Sequence, residues 1–283
     1  MRVRLGVVFV LLALTPGAAR AQVYESVGIR AQGMGGAFVA VADDATATWW
    51  NPAGLASGPL FDALLEYSRV RATPQTSVRG VAVAFPSLGL SYYRLPLNNA
   101  IDQHLSVYGV TFGQSVSQHL VIASTLKLEQ AGETHGDLDV GALVRIGVAQ
   151  VGLSVKNVRE ARFETASGTL ALDRQARAGF ALLGRSDGAI KEMNIAADVD
   201  LIRIRSLSGE EIRHLAGGME LWVLNKRLGL RGGASRNTVG EQGSSASGGV
   251  SVALRSGLYV DAHHSNGTDR SRKTWGFALR STF

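Results

Sequence analysis

The sequence contains no cysteine and only 6 prolines. The first absence excludes a disulfide scaffold and any thiolate metal site, while leaving the redox compartment open. Charged residues make up 18% of the 283 positions, below the quarter usual in soluble domains, and aromatics only 7%. Beyond residue 21 no apolar run is long enough for a membrane helix. Mean hydropathy is +0.10, far too polar for a bundle of such helices. The 6 histidines are scattered, and the adjacent pair His263-His264 would point to opposite faces of a strand. With no EF-hand or His-Glu-x-x-His pattern, neither a metal nor another cofactor is expected.

Glycine is what the chain has in excess: 34 of 283 residues, against a usual share of ~7%. No collagen-like period accompanies it, and Val and Leu are too frequent for disorder. Two classes remain, a soluble β-rich protein of the periplasm and a transmembrane β-barrel.

The first residues read as an export signal. Arg2 and Arg4 precede an apolar run from Leu5 to Leu14, Pro16-Gly17 breaks it, and Ala19-Arg20-Ala21 has the small-x-small form of a cleavage site. Residues 1–21 are therefore expected to be a signal peptide. Cleavage before Gln22 would remove Arg2, Arg4 and Arg20 with no acidic residue, lowering the formal charge from +6 to +3. The pI of 9.9 is then partly a property of the leader, and nucleic acid is not an expected partner.

Residues 60–283 alternate apolar with small or polar residues in segments about ten long. In the last segment Trp275, Phe277, Leu279 and Phe283 share one face, while Thr274, Gly276, Ala278, Arg280 and Thr282 share the other. Met193 to Leu201 and Leu138 to Ile146 alternate in the same way. About 14 strands can be read, joined by short turns at Pro86-Ser87, Gln114 to Val116, Gly147, Gly184 to Ile190, Leu224-Asn225 and Ser256. Longer connections at 71–77, 96–103, 130–135, 157–171, 203–210, 236–244 and 266–271 fall between them. Short periplasmic turns alternating with longer outer loops, and an even strand number that leaves no edge, predict a closed antiparallel transmembrane β-barrel. With so few aromatics the interfacial girdle of the all-β fold would be thin; Trp222, Trp275, Tyr67, Tyr92 and Tyr259 are the candidates, not all of them facing outward. Its C-terminal strand, ending at Phe283, would engage the barrel-assembly machinery, and outer-membrane lipid would be its solvent.

Residues 22–59 do not alternate. Gly33, Gly35 and Gly36 permit close backbone approach or positive φ. Asp43 or Asp44 can cap a short helix over Ala45 to Trp50, which Asn51-Pro52 ends. The string from Gly28 to Ala56, with Arg30-Ala-Gln-Gly33-Met-Gly35-Gly36-Ala, Ala42-Asp43-Asp44-Ala and Trp50-Asn51-Pro52-Ala53-Gly54-Leu55, resembles the N-terminal signature of the FadL-type outer-membrane transporters and their PorV/PorQ-like relatives. That resemblance implies that residues 22–59 form a hatch inside or beneath the barrel, held together by Asp43, Asp44, Asn51, Pro52 and Ala53. It also implies passage of hydrophobic small molecules with sideways release, or, in PorV/PorQ-like members, a type IX secretion-associated role with exported proteins as partners. The compact outer loops bring the chain nearer the second group.

Competing motifs fail on context. Gly33 to Phe38 is not a dinucleotide fingerprint, because Phe38 stands where a third glycine is required. Gly184-Arg-Ser186-Asp-Gly188 fits a nucleophile elbow literally, but a strand follows it where a helix is needed. No enzyme is expected. Inward alternation places Glu66, Lys127, Glu129, Arg145, Arg177, Asp198, Asp200, Glu220, Arg227, Arg231, Asp261, His263 and Arg280 in the lumen. Arg145, Arg227, Arg231 and His263 are the candidate lumen residues for meeting a polar head group.

Overall fold

A computed structural model describes residues 27–71, 76–97, 104–165, 168–205, 210–240, 242–268 and 270–283. The expected signal peptide and residues 22–26 lie outside these.

Two short helices, α1 (Ile29–Gly33) and α2 (Ala47–Trp50), and a 3-10 turn at Pro52–Ser57 precede the sheet. Strands follow at β1 (Asp62–Val70), β2 (Thr76–Phe85), β3 (Leu88–Pro96), β4 (His104–Ser115), β5 (Leu120–Ala131), β6 (Glu133–Ile146) and β7 (Ala149–Lys156). A small hairpin, β8 (Arg162–Thr165) with β9 (Gly168–Ala171), interrupts the series. Then come β10 (Gln175–Arg185), β11 (Ile190–Asp200), the two-residue β12 (Ile204–Arg205), β13 (Glu211–Val223), β14 (Leu228–Val239), β15 (Ser244–Arg255), β16 (Leu258–Gly267) and β17 (Thr274–Thr282).

Fourteen of these strands close into one antiparallel barrel. Only β8, β9 and β12 stand outside the ring. Neighbours in the ring are neighbours in sequence, apart from the closing pair of β1 with β17, whose register runs from Asp62↔Thr282 to Val70↔Thr274. Closure leaves no edge strand to be satisfied.

The two-residue period decides the faces. Along β17, Thr274, Gly276, Ala278 and Arg280 are buried while Phe277 and Leu279 are exposed. Along β11, Asn194, Ala196, Asp198 and Asp200 are buried and Met193, Ile195 and Ala197 exposed. The buried face is the lumen. Exposed large apolar residues such as Leu65, Val81, Leu90, Val110, Leu126, Val151, Phe180 and Leu230 form the outer wall, as a barrel with lipid for solvent requires.

One end of the barrel carries only tight turns, with positive φ at Ser87, Gly147 and Gly257. The other carries the longer connections, including the β8–β9 hairpin. Two connections differ from expectation. The loop placed at 130–135 is a single glycine, Gly132 at φ 87°, because β5 and β6 stay paired from Ala131↔Glu133 inward. The loop at 236–244 shrinks likewise, since β14 runs on to Val239. Both hairpins project past the alternating core that first reveals them.

Candidate functional site

Residues 27–59, the hatch, sit inside the lumen. Val27, Ala31, Met34, Phe38, Ala40, Ala45 and Ala53 are each 0% exposed although no strand contains them. A segment this short cannot build its own core and borrows the wall.

Glycine makes the fit possible. The barrel presents inward glycines wherever the hatch backbone comes closest. A Cβ on Gly233 would lie 2.2 Å from Met34 C, and one on Gly218 2.2 Å from Met34 O. One on Gly152 would lie 2.5 Å from Val39 O, and one on Gly141 2.1 Å from Asn51 Oδ1. The hatch answers with Gly35, at φ 70°, whose own Cβ would come within 2.6 Å of Ala234 N. Gly36 at φ 82° completes the turn after α1, and Gly33 lies against Gly249. Both uses expected of this trio, close approach and positive φ, are present.

Polar wall groups then stitch the hatch backbone, which an apolar lumen would leave unsatisfied. Glu66 on β1 accepts from Gly28 N at 3.0 Å. Asp198 on β11 accepts from Phe38 N at 2.7 Å and Val39 N at 2.8 Å. Asp62 accepts from Ala45 N at 2.9 Å. In the other direction Gln150 Nε2 donates to Ala40 O at 2.7 Å, and Thr125 Oγ1 to Thr48 O at 3.2 Å.

At the centre is Arg30, which is 6% exposed. Its Nε and Nη2 form a fork on Glu220 of β13, at 2.7 and 2.5 Å. Its Nη1 bonds Asp43 and lies 3.3 Å from Asp44. Burial pulls this guanidinium's pKa down, but Asp43, Glu220 and Asp44 more than reverse the effect, so the net shift is upward. From Glu220 the chain of charges continues along the wall. Arg231 Nε donates to Glu220 at 2.6 Å, Arg280 Nε donates to Asp261 at 2.9 Å, and Arg231 Nη1 lies 3.9 Å from Asp261. Trp222 and Tyr259 flank this chain, their rings 5.5 Å apart, with Arg280 4.9 Å from the tyrosine ring centre. Both aromatics face inward, so of the five girdle candidates Tyr67, Tyr92 and Trp275 are the ones on the outer face.

The remaining expected residues divide. Asn51 has extended backbone, φ −155°, ends α2, and accepts from Ala53 N to start the 3-10 turn at Pro52. Its amide also donates to Val39 O and to Ala142 O of β6, at 2.8 and 3.2 Å. Asp44 accepts from Thr46 N at 2.9 Å, a turn bond just ahead of α2, whose N-cap Thr46 has no side-chain cap of its own. Asp43 does not cap, because Arg30 takes its carboxylate. His263 is buried and bonds Thr274 at 3.1 Å, with His264 on the opposite, exposed face. Arg231 is in the lumen as expected.

Arg227 is not. Leu224, Asn225 and Lys226 all have positive φ, so Arg227 belongs to an exposed turn before β14 begins. Arg145 has inward parity but lies exposed at the turn end of β6, holding Gln150 Oε1 at 2.8 Å. Ser186 accepts from Gly188 N at 3.0 Å, a turn bond between β10 and β11, with no helix after it. Arg30 was legible only as part of a motif. The signal that could have singled it out is a lone cation in a Gly- and Ala-rich stretch, which needs a distant carboxylate once buried.

Above the hatch, towards the long-loop end, the lumen is apolar along one side. Val78, Tyr93, Leu95, Leu97, Leu105 and Val107 line β2 to β4, and Phe163 and Leu172 of the hairpin region join the same cluster. Trp49 of the hatch meets Tyr93 edge-on at 5.4 Å. The ladder between β2 and β3 ends at Arg79↔Arg94, although both strands continue towards that end. On the adjoining strands β5 and β6, Lys127 is held by Glu129 and Asp139, each at 2.8 Å. A cavity of about 20 Å³, room for about one water, remains between hatch and wall beside Trp49, Trp50, Lys156 and Arg177.

A 14-stranded antiparallel barrel with an apolar outer wall, its N-terminal segment buried inside the ring, defines a transmembrane β-barrel. Solved structures of similar fold include CymD, a monoaromatic hydrocarbon channel, at 12% identity and a TM-score of 0.67, covering 91% of this chain and 98% of that one. A Pseudomonas aeruginosa FadL homologue aligns at 11% identity and a TM-score of 0.60, over 91% and 98% of the two chains. The Ralstonia pickettii toluene transporter TbuX aligns at 13% and 0.57, over 92% and 99%. These identities speak for the fold alone. No protein-family model and no curated protein matches the sequence.

Proposed function

We propose that this chain is an outer-membrane channel of the FadL type that passes hydrophobic small molecules, with the hatch as its closure. The observation that carries this reading is the apolar lining of Val78, Tyr93, Leu95, Leu105 and Val107, placed directly inside the wall where the β2–β3 ladder ends. A solute entering at the long-loop end would meet this lining before the charged hatch. It would have a side exit where two strands lack ladder bonds, at the outer rim of the hydrocarbon layer. In this orientation the tight turns are periplasmic, and the leader at residues 1–21 directs export. The hydrocarbon channels of similar fold support this reading over a secretion-associated one. Arg231 and His263 then serve hatch and wall rather than a ligand, since both are buried within polar networks.

The test is uptake. The chain is expressed in a host lacking its own hydrophobic-solute channels, and entry of labelled toluene and of a long-chain fatty acid is followed. Uptake above the empty host is expected, falling in Leu105→Asp while unheated gel mobility still shows a folded barrel. Uptake no faster than the empty host, from a barrel located in the outer membrane, would overturn the proposal.

A further inference from the structure

The outer wall carries a basic patch that neither the hatch nor the channel reading uses. Arg79 on β2 and Arg94 on β3 are direct cross-strand partners, and both point away from the lumen into the exposed face. Partners of this kind have Cα atoms about 4.5–5.5 Å apart, where like charges repel. Arg69 on β1 points the same way, one rung further out, since Tyr67 pairs with Arg79 and Arg69 with Ser77. Arg94 Nη2 donates to His104 Nδ1 at 3.1 Å, which fixes one arm of the patch in place. Among the described residues, no carboxylate points outward from the long-loop half of β1 to β4 or of β17. The β2–β3 ladder stops at the Arg79↔Arg94 rung itself.

Depth is set by the aromatics. Tyr92 and Tyr108 lie on the same outer face, ring centres 4.9 Å apart, and Tyr92 pairs with Val81, two residues from Arg79. Tyr67 is the cross-strand partner of Arg79 and Trp275 that of Arg69, their rings 6.2 Å apart. Tyrosine and tryptophan mark the boundary of the hydrocarbon layer in such barrels. The arginines therefore lie at that boundary, at the level of lipid head groups.

We infer that Arg69, Arg79 and Arg94 form a site for the phosphate groups of the glycolipid that makes up the outer leaflet, lipid A. A phosphate between Arg79 and Arg94 accepts from both forks, relieves their repulsion, and clamps the last rung of the β2–β3 ladder. Its acyl chains lie against Val81, Leu90 and Val110 below. The site rests on the outer-membrane reading, which places the long-loop end outside.

The experiment uses the full mature barrel in detergent. Bisphosphorylated lipid A, dephosphorylated lipid A and inorganic phosphate are added separately. Co-bound lipid is read by native mass, and stability by the temperature at which heat-modifiable gel mobility is lost. Lipid A is expected to bind and to raise that temperature. The Arg79→Gln/Arg94→Gln double variant should bind about tenfold or more weakly, as the loss of charge-assisted contacts implies. Arg236→Gln, on the far side of the same end, should bind as the parent does. Equal binding by the double variant overturns the site. Equal response to dephosphorylated lipid shows acyl contact alone, and equal response to inorganic phosphate shows a small-anion site; either overturns it. Cell fractionation separates the two levels. A barrel found in the outer membrane but indifferent to lipid A defeats only this inference, whereas one absent from that membrane defeats the reading beneath it.

Discussion

Gly233 and Gly232 are neighbours on β14 that face opposite ways, and alanine at each should have opposite consequences. At Gly233 the new methyl would lie 2.2 Å from Met34 C, 2.3 Å from Met34 O and 2.5 Å from Gly35 N. All three are backbone atoms, so no rotamer change can relieve the clash. Ordinary carbon contacts begin near 3.5 Å, and the hatch must move by more than about 1 Å. Overpacking of this kind costs about 1–3 kcal/mol, which shifts a closed-to-open ratio by about 5- to 150-fold. The hatch should loosen rather than leave. Glu66, Asp198 and Asp62 still hold four backbone N–H groups, at Gly28, Phe38, Val39 and Ala45, each charge-assisted bond worth about 1.5–3 kcal/mol. At Gly232 nothing lies within 4 Å of the added methyl. Single-channel recording and limited proteolysis of the hatch read the difference. Gly233→Ala should raise open-state occupancy and cleavage near Met34, with Gly232→Ala matching the parent. Identical behaviour of the two variants would refute the close-approach account of the lumen glycines.

Removing Arg30 tests the buried charge cluster. Arg30→Ala leaves Asp43, Asp44 and Glu220 short of a cation and should destabilise hatch docking by about 3–5 kcal/mol, seen as hatch proteolysis and a lower mobility-shift temperature; Arg30→Lys, lacking the fork, should rescue only partly. Leu279→Arg puts a charge on the outer face and should impair insertion by about 2–4 kcal/mol near the midplane, read as loss of heat-modifiable mobility. Ala278→Arg points into a filled lumen, where Ala278 is 4% exposed and pairs with Glu66, and should fold while dislodging the hatch; equal insertion by both would mean the face assignment is wrong. A single cysteine at Ser186 should resist labelling from outside whole cells while one at Glu133 reacts, and the reverse pattern would invert the barrel.

The barrel was legible because each strand carries its own evidence. A period of two in β6, β11 and β17 separates lipid from lumen without knowledge of any neighbour. The rim was less legible, since parity persists where strands have ended. Arg227 keeps the inward phase of Gly229 and Arg231, yet three positive-φ residues before it turn it out to solvent. Gly132 shows the opposite error, with polar residues beyond the apolar band that remain paired. The hatch motif announced a compact segment and its turn at Asn51-Pro52. Its anchors could not be read, because Arg30 and Glu220 are 190 positions apart and meet only after closure. The lumen glycines are distributed over many strands and show their purpose only beside Met34, Val39 and Asn51.

The central claim, that the hatch is what closes the lumen, is tested most directly by deleting residues 28–50 and recording the barrel in planar bilayers. The hatch bonds wall groups from β1 around to β15, and a cavity of about 20 Å³ lies beside it at Trp49 and Trp50. The account predicts that the deleted barrel still folds, by unheated gel mobility, and conducts well above the parent. A folded deletion variant conducting no more than the parent would contradict it, and would make the hatch a brace for a lumen closed by other means.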